Sequence, residues 1–475
     1  LKKRISNDLR RKTAYLVAAV LSVMLCFPAF GAAAENGPGV SAGAGAIQLL
    51  PGVTASMCRA DYWYGRTDGI LLTQEQIAGQ NRKIVSMEET KMNDLEALPG
   101  IYNGTKIKEN MVNELNTFPR DHYLNGNPVP DSYYLAMRRN IDRAETAEQM
   151  PLRYGYCVNS TVLKAYPYAD YLSDTQDDTE WDDFVSSGVR VNEPLAVYFS
   201  TGDGKYIFVK STCDSGWIPA EDLAVCRDKE EWEACLNPDR FLVVTGEKVY
   251  LEASADFPEA SEKLLTMGTV LPLDMEKTGS VTSRMLWYNY VVKLPYRNAD
   301  GSFSAREALI SMNRDVSVGY LKMTQKSILD QAFKSIGNRY GWGGMLHAQD
   351  CSSYIRDIYK CYGLDIPRNT TRQAVMPAER TELASMSDAE KSAAIRALPA
   401  GSTLFFKGHE MMYLGERNGR LYVISDVSSL VLPSDETRTK IRARSVIVNS
   451  LDMQRANGTN WLGSLYCGVV PWKIK

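Results

Sequence analysis

No single core can run through this chain, because its hydrophobic period changes twice. From Glu35 to about Met150 the pattern is mainly helical: LLTQEQIAGQNRKI opens on a Thr-x-x-Gln capping arrangement from Thr73 to Gln76, and TKIKENMVNELNTF keeps the helical spacing. At Pro151 the texture turns to short apolar or alternating runs (GYCVN, PLAVYFST, KYIFVKST, FLVVT, KVYLEA) separated by turn signals at Thr201 to Gly204 and Asp214 to Gly216. Five or so short strands in roughly 80 residues suit a small barrel. Two such sets follow one another before Lys322, the second ending in the hairpin GSVTSRMLWYNYVVKLPYRNADG. From about Leu321 the helical period returns. The expected fold class is therefore multidomain: a helical domain over 35–150, all-strand modules over 151–236 and 237–320, and a last domain over 321–475. The all-strand modules are compatible with a mechanical spacer, and a substrate-positioning role needs more than this pattern.

The first 34 residues combine a basic start, an apolar run from Ala14 to Phe30 and small residues from Gly31 to Ala34, the layout of a cleaved secretory signal. An exported protein of the periplasm or cell envelope, with no stable membrane insertion after cleavage, is the expectation. GPGVSAGAGAI then reads as a flexible leader. The chain has a net charge of −3, and the 48 basic against 56 acidic residues beyond Ala34 give −8. An acidic body without a basic block argues against a nucleic-acid partner. Of nine cysteines, Cys26 falls in the signal. Cys213, Cys226 and Cys235 lie close enough in sequence for one bridge, with the pairing open. No cysteine or histidine spacing suits zinc, and no metal or other cofactor is expected.

Chemistry can be placed in the last domain. Ile328, Ala332 and Ile336 stand at helical spacing before the Gly-rich GNRYGWGG, and Asp350-Cys-Ser-Ser353 then opens the periodic stretch YIRDIYKCYG. Cys351 would sit at a helix start, where unpaired amides and the helix dipole favour a thiolate, whereas Cys361 reads as core. A thiolate needs a proton carrier, and the chain offers His122, His347 and His409. His409 begins the strand-like HEMMYLG after the turn at Lys407 and Gly408, a rigid mount for a base. His122 in DHYLNGNPVP reads as a surface residue, and His347 in GGMLHAQD lacks a comparable mount.

GNRYGWGG, DCSSYIRDIYKCYGLDIPRNTTRQ and GHEMMYLG resemble the conserved blocks of the NlpC family of papain-like cell-wall endopeptidases. RYGYCVNSTVLKAYP and GWIPAEDLA resemble the start and end of a bacterial SH3-like module, so the order of regions is similar to that of a branch with a helical N-terminal domain, two SH3-like barrels and a C-terminal α+β papain-like peptidase. The resemblance implies hydrolysis of peptidoglycan stem peptides between γ-D-glutamate and the L-centre of diaminopimelate by a monomer. It implies Cys351 as nucleophile, with its backbone amide meeting the oxyanion, His409 as base, and a third residue from LYVISDVSS. The family usually has histidine there; this chain offers Ser425 or Asp426, and a strand can turn only one of them toward His409. The resemblance also implies that Asp350, Ser352 and Tyr340 receive the free amine of an N-terminal L-alanine. Arg368 and Asn369 line the cleft, Trp342 either packs or contacts substrate, and the first SH3-like barrel closes the far side, giving a preference for short stem peptides. Two other classes share these features: a catalytically silent wall-binding protein and a cysteine-dependent acyltransferase or amidase.

Overall fold

Thr73 Oγ1 accepts from the Gln76 N–H while Gln76 Oε1 accepts from the Thr73 N–H. This reciprocal cap starts helix α1 (Gln74–Ser86), which buries one stripe formed by Ile77, Gln80 and Ile84. The computed structural model describes residues 47–65, 69–117 and 120–475; the expected signal over 1–34, Cys26 and the leader up to Ala46 lie outside them. Helices α2 (Gly104–Thr117) and α3 (Asp131–Asp142) follow.

These helices do not build a core of their own, which corrects the expected independent helical domain. Trp63, Leu72, Ile77 and Ile84 pack into the core of the C-terminal region, Trp63 lying 5.6 Å from the Tyr422 ring. Leu115, Tyr134, Met137 and Ile141 join the core of the first β module instead. Helices α2 and α3 pack on each other, but their apolar stripes close only against the first β module, while α1 braces the C-terminal region. His122 is likewise not a surface residue: it is 6% exposed, 4.8 Å from the Phe184 ring and 3.4 Å from the Tyr134 hydroxyl.

The first β module is a seven-stranded sheet of β1 (Arg153–Cys157), β2 (Thr161–Lys164), β3 (Val185–Val189), β4 (Pro194–Ser200), β5 (Tyr206–Lys210), β6 (Ser215–Pro219) and β7 (Leu223–Val225), in the order β7-β1-β4-β5-β6-β2-β3. Its aromatic core holds Tyr156, Phe199, Trp217 and Trp232. The second module is divided into small sheets rather than one barrel sheet. Strand β8 (Phe241–Val244) lies between β9 (Val270–Pro272) and β12 (Val316–Val318), and β10 (Asn289–Arg297) pairs with β11 (Phe303–Ser311). Leu242, Val244, Leu265, Val292 and Leu294 form their common core.

The C-terminal region is α+β. Helices α4 (Gln325–Phe333) and α5 (Cys351–Lys360) accompany an antiparallel sheet of β13 (Ala378–Glu382), β14 (Thr403–Phe406), β15 (His409–Arg417), β16 (Arg420–Val427), β17 (Ser445–Ser450) and β18 (Cys467–Ile474), in the order β13-β18-β14-β15-β16-β17. Helix α5 packs on β15 and β16. Its other side is covered by the β modules, where Arg356 donates to Ser187 Oγ and Cys213 Sγ and Asp357 pairs with Arg190. The Gly-rich turn before α5 exists for that contact. Gly343 and Gly344 have φ of +65° and +99°, and a Cβ on Gly344 would stand 2.7 Å from the Gly188 Cα in β3. The eight described cysteines are all free: Cys226 and Cys235 belong to the first module's aromatic core, and Cys361 is fully buried as expected. No helix among the described residues is long and apolar enough to cross a membrane.

Candidate active site

Asp350 is the N-cap of α5: Oδ1 accepts from the Ser353 N–H at 2.8 Å, and Ser353 Oγ accepts from the Asp350 N–H. Cys351 is therefore the first residue of the helix, as the sequence implies, and is 7% exposed. Its electrostatics differ from expectation. Burial, followed by the charges of Asp350 and Glu410, raises the Cys351 pKa well above its ordinary value, and the Glu410 backbone N–H offsets this only in part. A helix terminus is worth about 0.3–1 kcal/mol to an exposed charge, which desolvation outweighs. Cys351 therefore rests as a thiol.

His409 opens β15, directly opposite Phe406, and its ring lies 5.2 Å from both the Phe406 and Trp461 rings. Burial first, then the charge of Arg455, holds the His409 pKa well below the ordinary histidine range, so the imidazole is neutral. Its Nε2 lies 3.1 Å from Ser425 Oγ on the neighbouring strand β16. In the tautomer that leaves Nδ1 free to accept a proton, Nε2–H donates to that hydroxyl. Asp426, one residue on, turns to the opposite face of the strand, so it is not the partner of His409. Among the described residues no hydrogen bond joins Cys351 Sγ to His409, and the sulfur instead meets the amide of the next residue, Glu410.

Glu410 and Asp426 are both fully buried, and among the described residues none of their four carboxyl oxygens has a hydrogen-bond partner. Burial, then the charge of Asp350, pushes both pKa values well up. Sequence reasoning passed over Glu410, although one acid at the start of the apolar run EMMYL was a visible signal.

Asp350 does not present a bare carboxylate, which changes the role the resemblance implies for it. Arg368 meets it with Nη2 to Oδ2 at 2.6 Å and Nη1 to Oδ1 at 3.2 Å, and both side chains are 4% exposed. Gly343 N–H and Ser352 Oγ donate to the same carboxylate. Burial pushes the Asp350 pKa up, but the charge and hydrogen bonds of Arg368, with those of Ser353, bring it down to about 2. Arg368 also donates to Ser352 Oγ at 2.8 Å and, from the first β module, Ser187 Oγ at 3.1 Å. It is thus a buried hub rather than an open cleft wall. Asn369 caps the short helix Thr370–Gln373 through the Arg372 N–H.

Tyr340 is buried and Trp342 is 38% exposed. Both lie against Trp181 of the first β module, at centroid distances of 6.2 and 5.1 Å and interplanar angles of 2° and 25°. The loop carrying Trp181 is tied to the C-terminal region by Asp177–Arg442 at 2.9 Å, Glu180–Arg339 at 2.7 Å and the pair Asp178–Arg444. Trp181 stands in the acidic run DTQDDTEWDD, where nothing local distinguishes it. His347 lines a separate small cavity with Ser353 and Asp357. Among the described residues no three His, Cys, Asp or Glu side chains come together to hold a metal ion.

Residues 337–428 match the NlpC/P60 family model, and residues 171–219 match that of an SH3 domain of the SH3b1 type. No curated protein sequence matches the chain. Among solved structures, the chain is similar to an NlpC/P60 endopeptidase from Photobacterium damselae subsp. piscicida, with TM-score 0.68 at 15% identity over 90% of this chain and 99% of that one, a likeness of fold. An NlpC/P60 family protein from Bacillus cereus ATCC 10987 aligns with TM-score 0.44 at 17% identity over 67% of this chain and 99% of that one. With a buried cysteine at a helix start and a histidine at the head of the adjoining strand, the chain carries an NlpC/P60-family cysteine peptidase domain joined to an SH3-like domain.

Proposed function

We propose that the protein is an exported endopeptidase that hydrolyses the γ-D-glutamyl–L-diaminopimelate bond of peptidoglycan stem peptides with a free N-terminal L-alanine. The observation that carries this reading is the capped helix start at Cys351 packed on the strand headed by His409, whose imidazole is oriented by Ser425. Cys351 attacks the scissile carbonyl as its proton passes to neutral His409 Nδ1, so no resting ion pair is needed. The Cys351 backbone N–H, unpaired at the first helical position, meets the developing oxyanion. His409 then returns the proton to the leaving amine; in the second half it takes a proton from water, which attacks the thioester carbonyl, and gives that proton to the Cys351 sulfur as the C–S bond breaks.

Selection of short peptides falls to the wall shared by the two domains. Tyr340, Trp342 and Trp181 form an aromatic face beside the Asp350–Arg368–Ser352 hub, and an ammonium is received at that hub as a shared, partly neutralised site. Peptide product analysis by mass spectrometry on L-Ala-γ-D-Glu-diaminopimelate and its N-acetylated form tests the proposal. Release of diaminopimelate from the free-amine peptide at a rate well above that from the acetylated one is expected. Equal rates, or cleavage at another bond, would overturn it.

A further inference from the structure

His409, Phe406 and Trp461 line a cavity of about 240 Å³ that includes no residue of that hub. Three cationic side chains line it, Lys407, Lys440 and Arg455, and no carboxylate does. In an acidic chain this is an unusual balance. Other basic side chains of the same domain have acidic partners, as in Arg420–Asp452, Arg442–Asp177 and Arg444–Asp178. Among the described residues, Lys407, Lys440 and Arg455 make no ion pair. The Arg455 guanidinium is held in place over the Phe406 ring, 4.7 Å from its centroid, and by Nη2 donating to the Lys407 carbonyl at 3.3 Å.

The chemistry of the reaction says what enters this space. A histidine that protonates the leaving amine must touch that nitrogen, so the substituents on the amine's α-carbon occupy the cavity that the imidazole lines. We propose that this cavity is an anion subsite in which Arg455 and Lys440 bind the α-carboxylate of the amino acid released on the amine side of the scissile bond. The inference rests on the proposed peptidase reading and adds to it a preference for a leaving residue with a free carboxylate.

Occupancy of the subsite would also serve the proton transfer. Arg455 contributes to the low proton affinity of His409. The other groups facing the imidazole are Ser425, Phe406 and Trp461, with Lys407 and Lys440 at the cavity mouth, while Glu410 points to the opposite face. A carboxylate seated on Arg455 offsets its charge and makes His409 a stronger base when the thiol must be deprotonated.

The test compares L-Ala-γ-D-Glu-diaminopimelate with the same peptide carrying a carboxamide in place of the leaving residue's α-carboxylate. Wild-type enzyme is expected to favour the carboxylate peptide by about tenfold or more in kcat/KM, in line with a charge-assisted contact. Arg455→Met and Lys440→Met, singly and together, should erase that preference by slowing the carboxylate peptide alone. Arg455→Met should also move the acidic limb of the kcat/KM pH profile upward for both peptides, because His409 then loses a cationic neighbour. No preference in the wild type, or one that survives both substitutions, overturns the subsite. Calorimetry with diaminopimelate and Cys351→Ala protein separates this from the reading beneath it. Binding that weakens about tenfold on adding both substitutions supports the subsite even where neither peptide is hydrolysed, an outcome that would sink the bond assignment alone. Binding unchanged by both substitutions overturns the subsite.

Discussion

Replacing Arg368 by Met should destabilise the peptidase domain in a way whose pH dependence identifies the cause. Arg368 and Asp350 form a two-point pair with both side chains 4% exposed. Removing one partner of a buried pair costs about 3–5 kcal/mol, since the other charge is left in a poor dielectric. In the wild type the Asp350 pKa is about 2 against an ordinary 3.8, which corresponds to roughly 2–3 kcal/mol of stability. A depressed pKa gives stability that is full above the unfolded value and lost as the pH falls through the folded one, so the wild type should weaken below about pH 4. In Arg368→Met the counter-charge is gone and burial governs Asp350, raising its pKa. The deficit should then be largest near pH 7 and shrink on acidification toward pH 4, as Asp350 takes up a proton. Asp350→Asn in the same chain should recover part of the loss at pH 7, because no charge remains buried. Urea unfolding followed by tryptophan fluorescence at pH 7 and pH 4 reads both effects. A loss below about 1 kcal/mol at neutral pH, or a deficit that grows on acidification, would refute the reasoning.

Ser425→Ala should lower kcat about tenfold or more with little change in KM, because the hydroxyl orients the imidazole and does not touch the ligand; equal loss in KM on the stem peptide would point to substrate contact instead. Alkylation of Cys351 by iodoacetamide should accelerate only above the ordinary thiol range, and Glu410→Gln, which removes an acid that opposes thiolate formation, should bring that rise to lower pH; an unchanged profile would exclude Glu410 as a determinant. Trp181→Ala should cost about 1–3 kcal/mol through its two ring contacts and narrow the rate gap between free and N-acetylated stem peptides, measured as the ratio of kcat/KM values; an unaltered ratio would remove Trp181 from the selecting wall.

The parts of the site that were legible in the sequence are those specified by local chemistry. Asp350 and Ser353 cap one another within a single turn, so the helix start at Cys351 can be read directly, as can the tight turn that puts His409 at a strand head. Strand alternation also states correctly that Ser425 and Asp426 cannot both face His409, although it does not choose between them. What sequence could not supply was the environment. The thiolate expectation weighed a helix terminus without the burial and carboxyl groups that dominate around Cys351. The Asp350–Arg368 pair joins residues 18 apart, and the Trp181 contacts join different domains, so neither leaves a periodic trace. The helical segment shows the same limit at the level of fold. Its periodicity gives α1 and α2 correctly, but where an amphipathic helix lies depends on the partner it covers, and here the partners are two different cores.

The central claim is that Cys351 of this chain cleaves a peptide bond by way of a thioester. It is tested most directly by incubating wild-type and Cys351→Ala protein with L-Ala-γ-D-Glu-diaminopimelate and quantifying released diaminopimelate. The account predicts steady release by the wild type and none above background by the variant. Equal release by both proteins, or none by the wild type, would contradict it.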